Sequence, residues 1–222
     1  MIGAGPGNAG SARICCARLV VTHKQNMQVA FLGWGSLIWD RRPKFDSKVG
    51  PWIDCGPVLP VEFCRISSTR NGALVLVIDR KLGTAVEVLH AFSSRTDPDD
   101  ALQDLRAREG TSMHNIGFVD ILAGKQRGRD PEVVATIKDW AQQCGIAVVA
   151  WTDLASNFKS KTSVDFSHEA ALEHLQSLGK VGLREAVRYI VRAPAQVDTK
   201  LRQWLATVPW FEQQVELFKD EL

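Results

Sequence analysis

The sequence predicts an α+β fold, rich in strands through its first half and helical in its last third. Short apolar runs bounded by Gly, Pro and Asn-Gly turn signals recur between Val29 and Trp151, the pattern of buried strands. A helix signature, Asp97-Pro98 leading to Glu109-Gly110, interrupts them. From Ser167 onward, apolar residues recur only at helical spacing.

Val29-Ala30-Phe31-Leu32 is a continuous apolar run of strand length that stops at Gly33. Residues 41–57 are irregular, punctuated by Pro43, Gly50, Pro51, Gly56 and Pro57. Strands are expected at Val58 to Ser67 and Ala73 to Asp79, with Asn71-Gly72 turning between them, and a further single strand at Gly83 to His90. Asp97 caps and Pro98 starts a helix whose Ala101, Leu102 and Leu105 share a face, and Gly110 ends it. A strand from Ile116 to Leu122, a polar, mobile-looking stretch from Gly124 to Asp130, a helix from Pro131 to Gln143 and a strand from Ile146 to Trp151 follow. Ser167–Leu178, closed by Gly179, then Leu183–Val191 and Thr199–Ala206, read as amphipathic helices. The expected division is a disordered leader over 1–26, a core domain over 27–152, and a helical extension over 153–222. There is no repeat and no low-complexity tract.

A net charge of +2, with no run of like charges, argues against nucleic acid as a partner. No apolar stretch reaches the roughly 20 residues that span a bilayer. The five cysteines, Cys15, Cys16, Cys55, Cys64 and Cys144, are odd in number and irregularly spaced, and fit neither a disulfide framework nor a zinc site. A reducing, cytoplasmic setting is the simpler expectation. Residues 1–26 are rich in Gly and Ala, with Arg13, Arg18 and Lys24 scattered through them. A targeting segment is the alternative to a disordered leader there, and Met27 is a natural second start.

Gly5-Pro6-Gly7-Asn8-Ala9-Gly10 satisfies GxGxxG, but no strand precedes it to place the glycines under a pyrophosphate. Gly33-Trp34-Gly35-Ser36-Leu37 is different, because it leaves a strand directly. Its two glycines allow positive φ and leave the amides uncovered, a composition that suits an anion-binding loop walled by Trp34 and Trp39. The bland reading is a tight turn with aromatic packing. Glu109, at a helix C-terminus, faces the negative end of the macrodipole, which raises a carboxyl's pKa; Arg106 and Arg108 oppose this. Glu87, on an expected strand, is the second choice of base. Cys64 reads as buried and structural. His168 and His174, six residues apart, fall on different faces of a helix and make a poor metal pair. His114 reads as a solvated loop residue near Glu109.

GWGSL after the first strand, then LRAREG at a helix end leading into a strand with Gly117-Phe118, together resemble the γ-glutamylcyclotransferase superfamily. The likeness is best from Val29 to Ile121. It implies a small mixed β-barrel with flanking helices, to which the helical extension is added. It implies that Gly33, Trp34, Gly35, Ser36 and Leu37 hold the α-amino and α-carboxylate groups of a γ-glutamyl substrate, with Phe118 beside them and Glu109 as catalytic acid and base. Two positions depart from the family pattern: Trp34 and Phe118 stand where tyrosine is usual. The single tyrosine, Tyr189, lies far along the helical region, so a substrate-orienting hydroxyl is expected to be missing.

The activity this implies is ring closure within the substrate, releasing 5-oxoproline, as in glutathione metabolism. The enzyme would be of lyase or acyltransferase type and would require no metal and no cofactor. A binding protein that keeps the cavity, and a γ-glutamyl acyltransferase, are the alternatives. Lys44, Arg65 and Arg70 are candidate partners for a substrate carboxylate. The sequence leaves open the leaving group, the oligomeric state and the role of residues 153–222.

Overall fold

The structure is a computed structural model that describes residues 28–222. The expected leader, the GxGxxG string, Cys15, Cys16 and Met27 lie outside the described residues. In chain order the first elements are β1 (Val29–Gly33), α1 (Ser36–Trp39), α2 (Pro43–Asp46), β2 (Val58–Ile66), β3 (Leu74–Ile78), β4 (Thr84–Glu87), β5 (Leu89–Phe92) and α3 (Pro98–Glu109). There follow β6 (Ile116–Asp120), β7 (Lys125–Arg127), α4 (Pro131–Cys144), β8 (Val148–Thr152), α5 (Phe158–Thr162), α6 (His168–Ser177), α7 (Lys180–Arg192), α8 (Lys200–Leu205) and α9 (Pro209–Phe218).

Hydrogen bonding divides the strands into a five-stranded sheet, ordered β5-β1-β8-β6-β7, and a three-stranded sheet, ordered β3-β2-β4. The fold is thus mixed α+β, with no single closed ring of strands among the described residues. β1 and β8 run parallel; the other pairings are antiparallel. Alternate residues of the two parallel strands face two cores. Val29, Phe31, Val148 and Ala150 pack with Leu102 and Leu105 of α3. Ala30, Leu32, Val149 and Trp151 join the larger core shared with the second sheet and the C-terminal helices. Coverage on both faces explains why β1 reads as an unbroken apolar run rather than an alternating one.

Two expectations are corrected. The strand expected at Gly83–His90 is two strands in different sheets: β4 pairs with β2, and β5 pairs with β1. The chain changes sheets at Val88, whose carbonyl accepts from Gly56 N at 3.0 Å and whose N–H donates to Pro57 at 3.1 Å. The polar stretch Gly124–Asp130 contains β7, an edge strand on β6. Its Lys, Gln and Arg residues are exposed or half-buried, which suits an edge that must not recruit other strands.

α3 forms as its caps dictate. Asp97 Oδ1 accepts from Asp99 N at 2.8 Å, Pro98 opens the first turn, and Gly110 terminates the helix at φ 60°, a conformation that favours glycine. The C-terminal helices are fixed to the second sheet by polar contacts. His174 Nε2 lies 2.8 Å from the Gly72 carbonyl in the β2–β3 turn. α7 crosses the same turn so closely that a Cβ on Gly182 would lie 2.4 Å from the Asn71 carbonyl oxygen. Buried Glu62 on β2 accepts from Thr199 Oγ1 at 2.5 Å, Leu201 N at 3.3 Å and Phe63 N at 2.9 Å, and so pins the start of α8. No described helix is long and apolar enough to cross a membrane.

Candidate active site

β1 ends at Gly33 and the chain turns at once into α1. A cavity of about 540 Å³ opens at this end of the sheet. It is lined by Gly33 to Leu37, by Val75, Leu76 and Val77 of β3, and by Arg65 and Ser67. Ala107 to Gly110 close it from the end of α3, and Thr152 and Leu154 from the exit of the parallel strand β8. Between Glu62 and Arg65 the pairing of β2 with β3 slips, an irregularity of the kind that re-aims side chains.

The loop glycines act by size rather than by positive φ, since neither Gly33 nor Gly35 adopts it. A Cβ on Gly33 would lie 2.6 Å from the Trp52 ring, and one on Gly35 would lie 2.4 Å from the Tyr189 hydroxyl. Trp34 is 6% exposed and joins the larger core. The Ser36 amide makes a single long contact, 3.5 Å to Tyr189 Oη, at the limit of a hydrogen bond.

Glu109 lies in the same cavity, its side chain 19% exposed. Burial raises its pKa above the ordinary glutamate value, while the Arg108 and Arg70 cations pull it down and Asp40 pushes it up. The direction matches the expectation from the helix end, but desolvation is the chief cause. Oε1 is buried without a hydrogen-bond partner and stands 3.5 Å from Arg108 Nη1. Arg108 itself is 4% exposed. Its Nη2 donates to the Ser36 carbonyl at 2.9 Å and the Asp40 carbonyl at 2.8 Å, at the two ends of α1. One side chain thus braces the loop and flanks the carboxylate.

A second cation ties the loop to the C-terminal helices. Arg70 donates to Asp40 Oδ2 at 2.7 Å and lies 3.7 Å from Glu185 of α7. Burial opposes ionisation of Asp40, yet Arg70, Arg42 and Arg108 together hold its carboxyl below the usual range. Arg70 also stacks over Trp39 and Tyr189, 5.6 and 5.3 Å from the ring centroids.

Of the residues expected at the site, one cavity lining holds Gly33, Trp34, Gly35, Ser36, Leu37 and Glu109, together with two of the three candidate cations, Arg65 and Arg70. Phe118 and Lys44 are not in the lining; Phe118 lies under the Arg127 guanidinium on β6. Glu87 is exposed on β4 and accepts from Cys55 N at 3.0 Å. Cys64 is free and fully buried, its thiol pushed up to about 12, chiefly by burial. His168 packs on Trp204, and no group of three or more His, Cys, Asp or Glu side chains able to hold a metal occurs among the described residues.

Tyr189 was not anticipated, and Arg108 was expected to oppose the rise in the Glu109 pKa, as it does, but not to brace the loop. Arg108 adjoins the glutamate in sequence, which is a signal of nearness but not of direction. Tyr189 falls on the buried face of α7 with Ala186 and Ile190, so the helical period marks it as inward-facing without showing which surface it meets.

No family model matches the chain, and no curated protein does. Among solved structures, the fold is similar to that of a selenomethionine-labelled γ-glutamyl cyclotransferase specific to glutathione from yeast. That protein is 15% identical; the similarity covers 88% of this chain and 97% of that one, at a TM-score of 0.39.

Proposed function

We propose that the cavity is the active site of a γ-glutamylcyclotransferase-like enzyme. The observation that carries this reading is the buried Glu109 Oε1, which accepts no hydrogen bond, in one cavity with the Gly33–Leu37 loop. Loop and carboxylate are the two segments on which the sequence resemblance rests. The cation-rich lining favours an anionic substrate, and Arg65 has no acidic partner among the described residues.

In the proposed reaction the α-amine of the γ-glutamyl unit attacks its own γ-carbonyl carbon. A carbon–nitrogen bond forms, closing the five-membered ring, and the bond to the leaving nitrogen breaks. Glu109 takes a proton from the attacking nitrogen and returns one to the leaving nitrogen, which departs as a free amine or amino acid beside 5-oxoproline. The nucleophile and electrophile belong to one molecule, so holding it folded provides a high effective molarity. A carboxyl with a raised pKa suits both proton transfers near neutral pH. Loop amides and the Arg108 cation are positioned to favour developing negative charge.

Glu109→Gln is expected to fold normally and to lose about 10²–10⁴-fold in turnover. Mass spectrometry of 5-oxoproline released from glutathione and from a panel of γ-glutamyl amino acids and amines measures this. The acid limb of the wild-type pH profile should lie above the ordinary glutamate range, because the base must be ionised. Ligand-induced thermal stabilisation without product would support a binding protein instead. A γ-glutamyl group transferred to a second amine would support an acyltransferase.

A further inference from the structure

We propose that Tyr189 contacts the substrate: helix α7 brings to the cavity the phenol hydroxyl that the loop lacks at Trp34. This rests on the reading of the cavity as a γ-glutamyl site and adds a third contact to the loop and Glu109.

Tyr189 is the one tyrosine in 222 residues, and it lines the cavity from α7. Its hydroxyl stands where a Cβ on Gly35 would be, 2.4 Å away, and 3.5 Å from Ser36 N. The absence of a side chain at position 35 is what admits it. Its ring is held on three sides: edge-on to Trp39 at 5.6 Å, edge-on to Phe63 at 6.2 Å, and beneath the Arg70 guanidinium at 5.3 Å. A ring fixed in this way presents its hydroxyl in one direction, as a recognition group must.

The hydroxyl accepts from the Ser36 amide. The Ser36 side chain bonds the hydroxyl as well, as a donor to the phenol oxygen, and the phenol carries one proton of its own to donate. Burial, and after it the nearby Glu109 carboxylate, keep the phenol protonated above its ordinary range. It is therefore a donor rather than a base, and the fitting acceptor is an oxygen of the γ-glutamyl unit lying along the loop. α7 in turn is anchored to the loop by the Asp40–Arg70–Glu185 chain of ion pairs. The last third of the protein is on this view part of the site.

The single tyrosine permits a direct test. Protein labelled with ¹³C at the tyrosine ζ carbon should give one phenolic resonance. In the Glu109→Gln protein, which retains Tyr189, glutathione or γ-glutamylalanine should shift that resonance saturably. Tyr189→Phe should keep the wild-type melting transition and lose about ten- to a hundredfold in kcat/KM. The loss would fall in KM for a contact to the α-carboxylate, and in kcat for a contact to the γ-carbonyl oxygen. A resonance that stays fixed at saturating ligand, or unchanged kinetics in Tyr189→Phe with an active wild type, overturns the proposal while the proposed reaction stands. A wild type that neither binds nor turns over any γ-glutamyl compound overturns both.

Discussion

Replacing Gly35 by alanine would place a methyl carbon 2.4 Å from Tyr189 Oη, 3.2 Å from Cζ and 3.6 Å from Cε1. The first distance is far inside van der Waals contact, and the clash cannot be relieved by a simple swing of the ring. Trp39, Phe63 and Arg70 hold it on three sides, and α7 behind it is pressed against the Asn71 carbonyl at Gly182. Overpacking of this kind costs about 1–3 kcal/mol. For a chain of this size that is a fall in melting temperature of roughly 2–12 °C. Tyr189→Phe removes the clashing oxygen, so that the nearest ring atom to the new methyl is the carbon at 3.2 Å. The lost contact to Ser36 N is long, and its removal should cost less than about 1 kcal/mol. The double variant is therefore expected to be more stable than Gly35→Ala alone, with a coupling energy of about 1–2 kcal/mol in a denaturant-unfolding cycle. Strict additivity, or a Gly35→Ala protein that melts like wild type, would refute the placement of the Tyr189 hydroxyl against the loop.

Arg108→Met keeps the aliphatic stem and removes the hydrogen bonds to the Ser36 and Asp40 carbonyls, together with the cation beside Glu109. A destabilisation of about 3 kcal/mol is expected, and the acid limb of the pH–rate profile should move to higher pH, because Arg108 lowers the Glu109 pKa. Glu62→Gln places an amide NH₂ among the donors of Thr199, Leu201 and Thr84, at a cost of about 1–3 kcal/mol. Its pH dependence has a definite sign: burial raises the folded-state pKa of Glu62, so its contribution is full below the unfolded value and is lost as pH rises through the folded one. The stability gap between wild type and Glu62→Gln, measured by urea unfolding, should shrink as pH rises from about 4 upward, and a widening gap would count against this sign.

What was legible in the sequence was local. Asp97, Pro98 and Gly110 fix both ends of α3 through contacts within a few residues, and with them the position of Glu109. The apolar run at Val29 and the glycines after it locate the loop. The break at Val88 was hidden because its cause, the Gly56 and Pro57 backbone, lies on a distant segment. β7 was hidden because an edge strand needs no apolar alternation. Phe118 was placed by analogy with a family pattern, whereas the side chain that reaches the loop, Tyr189, arrives from a helix more than 150 residues away in sequence. Periodicity shows that Tyr189 is buried, but the partner of a buried residue is a tertiary fact.

The position of the cavity follows from the sheet. β1 and β8 are parallel, so the chain leaves both at the same end, and Gly33 and Thr152 emerge side by side into the same space. Helices cover both faces of these strands, which leaves the strand ends as the place where backbone amides and polar side chains meet a void. Placing an ionisable carboxyl there has an energetic cost, visible in the Glu109 Oε1 and Arg108 Nε atoms that are buried without hydrogen bonds. The surrounding charges limit that cost without abolishing it: Arg108 and Arg70 draw the Glu109 pKa down, and Asp40, itself held ionised by the same cations, pushes it back up. Residues 36–40, 70, 108–109 and 185–189 therefore behave as one electrostatic unit assembled from four separate stretches of chain. A change at Arg70 should consequently alter both the seating of α7 and the ionisation of Glu109, which no reading of the loop or the carboxylate alone would anticipate.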